Sequence, residues 1–159
     1  MSKITPCLWF NGDAEAAAKF YVSLLPDSHL DRVFRSPSDW PSGKAGDVLT
    51  VEFTLAGQPY VGLNGGPEFQ FNCAVSFQIH CDNQAEVDRL WDAILANGGK
   101  PMACSWIADR WGLSWQIVPR RLTQLMQDPD PARAKRAMES MMTMVKIDIA
   151  ELERAVGGK

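Results

Sequence analysis

Histidine is scarce in this sequence. Of 159 residues only His29 and His80 carry an imidazole, too few for a multi-histidine metal centre. The four cysteines, Cys7, Cys73, Cys81 and Cys104, show no CxxC spacing and read as free thiols of a reducing compartment. No apolar run approaches the ~18 residues that a membrane span requires. The opening Met-Ser-Lys-Ile-Thr-Pro has no apolar core of the kind a secretory leader needs, so the expected location is the cytoplasm. Charge of one sign is also lacking. The formal net charge is −3, and the longest basic cluster, Arg133 to Arg136, sits among helix formers as a solvated face. No footprint for nucleic acid or an anionic membrane follows.

What is present is ordinary globular material, 46% hydrophobic and 22% charged, so the chain can bury a core. Thr5 to Phe10 reads as a strand, bounded by Asn11-Gly12-Asp13. A helix is predicted from Ala14 to Leu25, with Ala17, Phe20, Tyr21 and Leu24 at helical spacing and Pro26 ending it. Asp27 to Phe34 and the alternating Val48 to Leu55 follow as strands, separated by a loop rich in Ser, Pro and Gly. Gly57-Gln58 is read as a tight turn into Tyr60 to Leu63, completing a β-α-β-β-β unit.

The order then begins again. Ala74 to His80 alternates as a strand, and Asn83 with Glu86 resembles a capping box. Val87, Leu90, Trp91, Ile94 and Leu95 mark a helix closed by Gly98-Gly99. Lys100 to Ile107, broken along its length, and Leu113 to Val118 follow as strands around the Asp109 to Gly112 turn. By this reading the second module has one strand fewer, or a short middle strand. Shifts of about 70 and 55 positions superpose the helices and the last strands of the two modules by residue type, the mark of an internal repeat. Asp130-Pro131 opens a helical tail in which Ala134, Met138, Met141, Met142 and Val145 share a face, and Asp148 caps a final helix. That Met-rich stripe is either core packing or a dimer contact. The expected architecture is α+β: a first module over 1–70, a second over 71–120 and a helical tail over 121–159, the two modules forming a curved open sheet around a cleft.

Three segments carry a resemblance: Leu8-Trp9-Phe10-Asn11-Gly12, Leu63-Asn64-Gly65-Gly66-Pro67 and, most specifically, Asp109 to Pro119. With the Met-rich tail they resemble the PhnB-like branch of the glyoxalase/bleomycin-resistance/dihydroxybiphenyl dioxygenase (vicinal oxygen chelate) superfamily. Members often carry the label 3-demethylubiquinone methyltransferase. The resemblance implies paired β-α-β-β-β modules, a ligand cleft and a homodimer. The methyltransferase label fits poorly, because Asn11-Gly12-Asp13 has one glycine and no parallel β-α-β-α series follows.

Metal-using members of the superfamily place His, Gln or Glu on the first and last strand of each module. The matching places here are Pro6, Val61, Ser76 and Gln116, of which only Gln116 is a plausible ligand. The reading therefore assigns no metal and no cofactor. Alternation along Ala74 to His80 sets Val75, Phe77 and Ile79 under the helix and Ser76, Gln78 and His80 toward the cleft, with Gln116 joining them from the last strand. Trp106, Trp111 and Trp115 either wall a pocket for a flat ligand or pack in the core. Arg110 would clamp an anion, Asn64 would donate hydrogen bonds or serve as a turn residue, and Glu52, His80 and Asp109 are the acid/base candidates. Two functions stay open: a metal-independent small-molecule binding or sequestering protein, with ligand residues Ser76, Gln78, His80, Gln116, Arg110, Trp106, Trp111 and Asn64, and a glyoxalase- or dioxygenase-type enzyme using His80 or Glu52.

Overall fold

The computed structural model describes residues 2–157, which divide into two compact units meeting between Phe71 and Asn72. In the first, β1 (Cys7–Phe10), β2 (His29–Arg35), β3 (Val48–Leu55) and β4 (Gln58–Asn64) form a mixed sheet in the order β1-β4-β3-β2. β1 runs parallel to β4, and the other pairs are antiparallel. Helix α1 (Ala14–Val22) lies on the face carrying the buried Val51, Phe53 and Leu55, and buries Ala14, Ala17, Ala18 and Tyr21. Small residues let the helix approach closely: a Cβ added at Gly62 would stand 3.2 Å from that of Ala14. The helix stops three residues before the predicted Leu25, since Pro26 disfavours helical backbone before it and the Ser23 hydroxyl donates to the Phe20 carbonyl at 2.5 Å. The β3–β4 turn is Ala56-Gly57, one residue earlier than predicted. Both residues have positive φ, 46° and 79°, as a two-residue hairpin of matching twist requires.

Asn64, the last residue of β4, is buried and joins two elements of this unit. Its Oδ1 accepts from the Ala14 N–H at 2.9 Å, and its Nδ2 donates to the Val48 carbonyl at 3.0 Å. A side chain fifty positions away in sequence thus satisfies one orphan donor of the α1 N-terminus.

The second unit repeats this plan. β5 (Ser76–Cys81), β6 (Lys100–Pro101), β7 (Trp106–Ala108) and β8 (Ser114–Pro119) are ordered β5-β8-β7-β6, with β5 parallel to β8. No strand is missing; the two middle ones are short. Helix α2 (Gln84–Ala96) buries Val87, Leu90, Trp91 and Ile94. Leu95 falls outside that stripe and is exposed, as is Val75, which precedes β5 and has no helix over it. The capping box closes one residue further out than its usual form: Asn83 accepts from the Glu86 N–H at 2.9 Å, and Glu86 accepts from the N–H of Asp82 at 2.7 Å.

The tail belongs to this unit. It contains α3 (Arg120–Met126), which the sequence reading did not separate, α4 (Pro131–Met142) and α5 (Ile149–Gly157). Leu122, Leu125, Ala137, Met144, Ile147, Leu152 and Val156 form a buried cluster against which Val118 and Met141 pack. The core-facing stripe of α4 therefore runs through Ala137 and Met141, while Met138, Met142 and Val145 are exposed, correcting the face expected from spacing. Segment 144–147 is laced to the break between β6 and β7. Cys104 and Ser105 there have positive φ, 58° and 64°, and donate their N–H groups to the Met144 and Val145 carbonyls at 2.9 and 2.6 Å. The buried Ser105 hydroxyl accepts from the Ile147 N–H at 3.3 Å.

The β7–β8 turn is organised by Asp109, which is 3% exposed. Its Oδ1 accepts from the N–H groups of Trp111 and Leu113 at 2.9 and 3.0 Å, and its Oδ2 from the Trp115 indole at 3.0 Å. Gly112, at φ 90°, supplies the left-handed turn position. Removing this carboxylate strands three donors. Asp109→Ala should lower stability by about 3 kcal/mol in denaturant unfolding; a loss below about 0.5 kcal/mol would contradict the turn's dependence on it. Likewise Ile147→Ala should cost about 2–5 kcal/mol, with one transition for the whole second unit, because the tail shares that unit's core.

Candidate functional site

One face of the second sheet lies under α2 and is apolar: Ile79, Ile107, Trp115 and Ile117 are buried there. Period-two alternation puts their neighbours on the other face. Register then brings those neighbours together, with Ser76 opposite Ser114, Gln78 opposite Gln116 and Trp106 opposite Gln116 on its other side. The side chains form a hydrogen-bonded row. Gln78 Nε2 donates to Gln116 Oε1 at 3.1 Å, and Gln116 Nε2 donates to Ser76 Oγ at 2.8 Å. Among the described residues Gln78 Oε1 has no protein partner, so the row ends on an open acceptor.

The two glutamines of this row floor a cavity of about 420 Å³, and Ser76 holds Gln116 from outside its lining. Gln78, Gln116, Trp106 and Val118 come from the sheet, Cys104 from the β6–β7 break, Leu122, Thr123, Met126 and Gln127 from α3 and its C-terminus, and Met141 from α4. None of these ten side chains is an Asp, Glu, Lys, Arg or His. The arrangement can hold a molecule by amide hydrogen bonds, indole stacking and sulfur contacts; it offers no formal charge.

The sequence-predicted residues divide. Ser76, Gln78, Gln116 and Trp106 are brought together. His80 sits on the same face, opposite Val118, but is exposed and does not line the cavity. Arg110 and Trp111 lie on the turn at the start of β8, away from the cavity lining, with the guanidinium 5.4 Å from the Trp111 ring centroid. The expected tryptophan cluster is split between two faces, because Trp106 pairs with Gln116 and so opposes the face of Trp115. Asp109 is spent on its turn. Glu52 and Asn64 belong to the first unit. Glu52 is ion-paired to Arg32 at 2.6 Å, and Asn64 is engaged as described above. Asn64 also borders a separate, charged depression of about 410 Å³ with Glu15, Arg35 and Asp47. Cys81, beside His80, is fully buried, and desolvation pushes its thiol up to about 12, so it is no nucleophile. The cavity residues missed from sequence are Cys104, Val118 and those of α3, its C-terminus and α4; a Leu-x-x-Leu-Met pattern marks a helix there but does not say which sheet face it borders.

The same donor set bears on metals. Among the described residues no three His, Cys, Asp or Glu side chains gather as a metal-holding group. At the two ligand places implied in the second module stand Ser76 and Gln116, a hydroxyl and an amide already bonded to each other. Neutral oxygen donors of this kind do not fit a site that must retain a divalent ion.

Comparison with known proteins agrees with this architecture. A family model described as 3-demethylubiquinone-9 3-methyltransferase matches residues 2–118. A solved structure from Bacillus cereus, a PhnB protein under the same methyltransferase description, is 32% identical; the match covers 74% of this chain and 99% of that one, with a TM-score of 0.66. A Pseudomonas aeruginosa protein shares the fold at 20% identity and TM-score 0.60, over 75% of this chain and 98% of its own. No match was found among curated proteins. With residues 2–118 matched and the fold shared, the chain belongs to the PhnB-like family described as 3-demethylubiquinone-9 3-methyltransferase.

Proposed function

We propose that this protein is a metal-independent small-molecule binding or sequestering protein whose ligand rests on the Gln78–Gln116–Ser76 row of the second unit. The observation that carries the reading is the cavity itself: about 420 Å³, floored by a polarised amide row and an indole, and lined without a carboxylate, an imidazole or a cation. A site with these groups can orient a ligand and withdraw it from water, and Cys104 is its one titratable side chain, with no basic partner in the lining to activate it. The family's descriptive name speaks of methyl transfer. Against that, methyl-donor binding of the usual kind uses a doubly wound parallel sheet with a glycine-rich first turn, whereas both sheets here are mixed and β1 is followed by Asn11-Gly12-Asp13.

The reading is tested by thermal shift against a library of uncharged aromatic compounds. A binder held at about 100 times its Kd should add about 2.7 kcal/mol to stability. That gain should vanish in Trp106→Ala and Gln116→Leu and persist in His80→Ala and Glu52→Gln. A requirement for added divalent metal, or loss of binding in the last two variants alone, would transfer the argument to an enzyme reading. The working form is proposed as a cytoplasmic homodimer, supported by the exposed Met138, Met142 and Val145. Light scattering should give twice the chain mass for wild type and a lower mass for Met142→Glu; a wild-type monomer at micromolar concentration would sink the dimer.

A further inference from the structure

Resting on the binding reading above, we propose that the cavity selects an uncharged, planar, polarisable ligand carrying a lactam-like edge, a ring N–H beside a carbonyl. The helical tail sets that choice.

The floor supplies the edge. Gln78 spends one N–H on Gln116, leaving its carbonyl oxygen as an open acceptor and its second N–H as a donor in the same amide plane. A lactam N–H meets that acceptor, and the lactam carbonyl beside it offers the reciprocal acceptor to the amides of the floor. The bond from Gln78 to Gln116 and the next to Ser76 polarise in one direction, which strengthens the open acceptor at the Gln78 end. A carboxylate would meet that same carbonyl oxygen with like partial charge. No cation in the lining would offset the cost of removing such an anion from water.

The walls supply planarity and polarisability. Trp106, half-buried across β8 from Gln78, borders the cavity with its indole, and three further lining residues, Cys104, Met126 and Met141, carry sulfur. Thioethers pack well against aromatic rings and adapt to irregular outlines. Two of the three sulfurs, on Met126 and Met141, come from α3 and α4, beyond residue 118 where the family match ends. The floor therefore lies within the family-matched region, whereas the thioether wall is built from the tail beyond it.

The test is calorimetric titration of the full chain with three probes of similar outline: carbostyril (a neutral fused-ring lactam), quinaldate (a fused-ring carboxylate) and naphthalene (no polar edge). Carbostyril should bind at least about tenfold more tightly than either of the others, the equivalent of one well-made hydrogen bond. Gln78→Leu should erase its advantage over naphthalene, and Met126→Lys should raise quinaldate affinity about tenfold while the melting temperature stays near wild type. Quinaldate binding as tightly as carbostyril to wild type, with dependence on Trp106 retained, would overturn the ligand class and leave the site standing. Failure of all three to bind wild type would also overturn the ligand class. Binding insensitive to both Gln78→Leu and Trp106→Ala would overturn the site together with the class.

Discussion

The parallel pairing of β5 with β8 is the constraint from which the second unit's chemistry follows. Its register sets Gln78 beside Gln116 and Ser76 beside Ser114, and β7 then adds Trp106 to the same face. A one-residue slip would drive Phe77, Ile79 and Ile117 to the open face and bury the amides under α2 without partners, at the cost of several unsatisfied polar groups. The apolar grip of α2, through Val87, Leu90, Trp91 and Ile94, prevents that slip. The Asp109 carboxylate holds the β7–β8 turn so that β8 enters in the right phase. Site and core are thus two readings of one register.

Much of this was legible in the sequence because it rests on period and punctuation. The alternation in Ser76 to His80, the helical spacing of Val87 to Ile94, and the Asn83 and Asp130 caps each report a local preference that the tertiary structure keeps. What was not legible depends on long-range partners. Asn64 looks like a turn residue until the Ala14 N–H and the Val48 carbonyl stand beside it. The brevity of β6 and β7 reflects a bond pattern with segment 144–147, some forty positions away, which no short window contains. The α4 stripe was misplaced by a fraction of a turn, because methionine is acceptable on either side of a helix boundary and only the packing of Ala137 fixes the phase. Leu122, Met126 and Met141 entered the cavity for the same reason: helical spacing says that a face is apolar, but not what it meets.

The family's fold separates scaffold from chemistry. Two mixed sheets of identical strand order hold quite different residues at matching places. The first unit spends Asn64 on joining its helix to its sheet and carries charges around its own depression. The second leaves its sheet face polar but uncharged. Repetition of a frame therefore does not repeat a site, and a descriptive family name cannot substitute for the donor set that a given chain presents.

The left-handed pair Cys104-Ser105 carries a consequence for how the molecule comes into being. Their N–H groups point to carbonyls of residues 144 and 145, and the Ser105 hydroxyl receives the N–H of residue 147. During synthesis the β5, α2 and β8 segments leave the ribosome before those partners exist. The second sheet can pair its long strands early, but the break between its short ones stays open to water until the tail arrives. Sequence separation of this kind slows the last step rather than the first. The cavity accordingly forms in two stages: its floor is laid when β5 and β8 pair, and its wall is set only after the residues of α3 and α4 have been made.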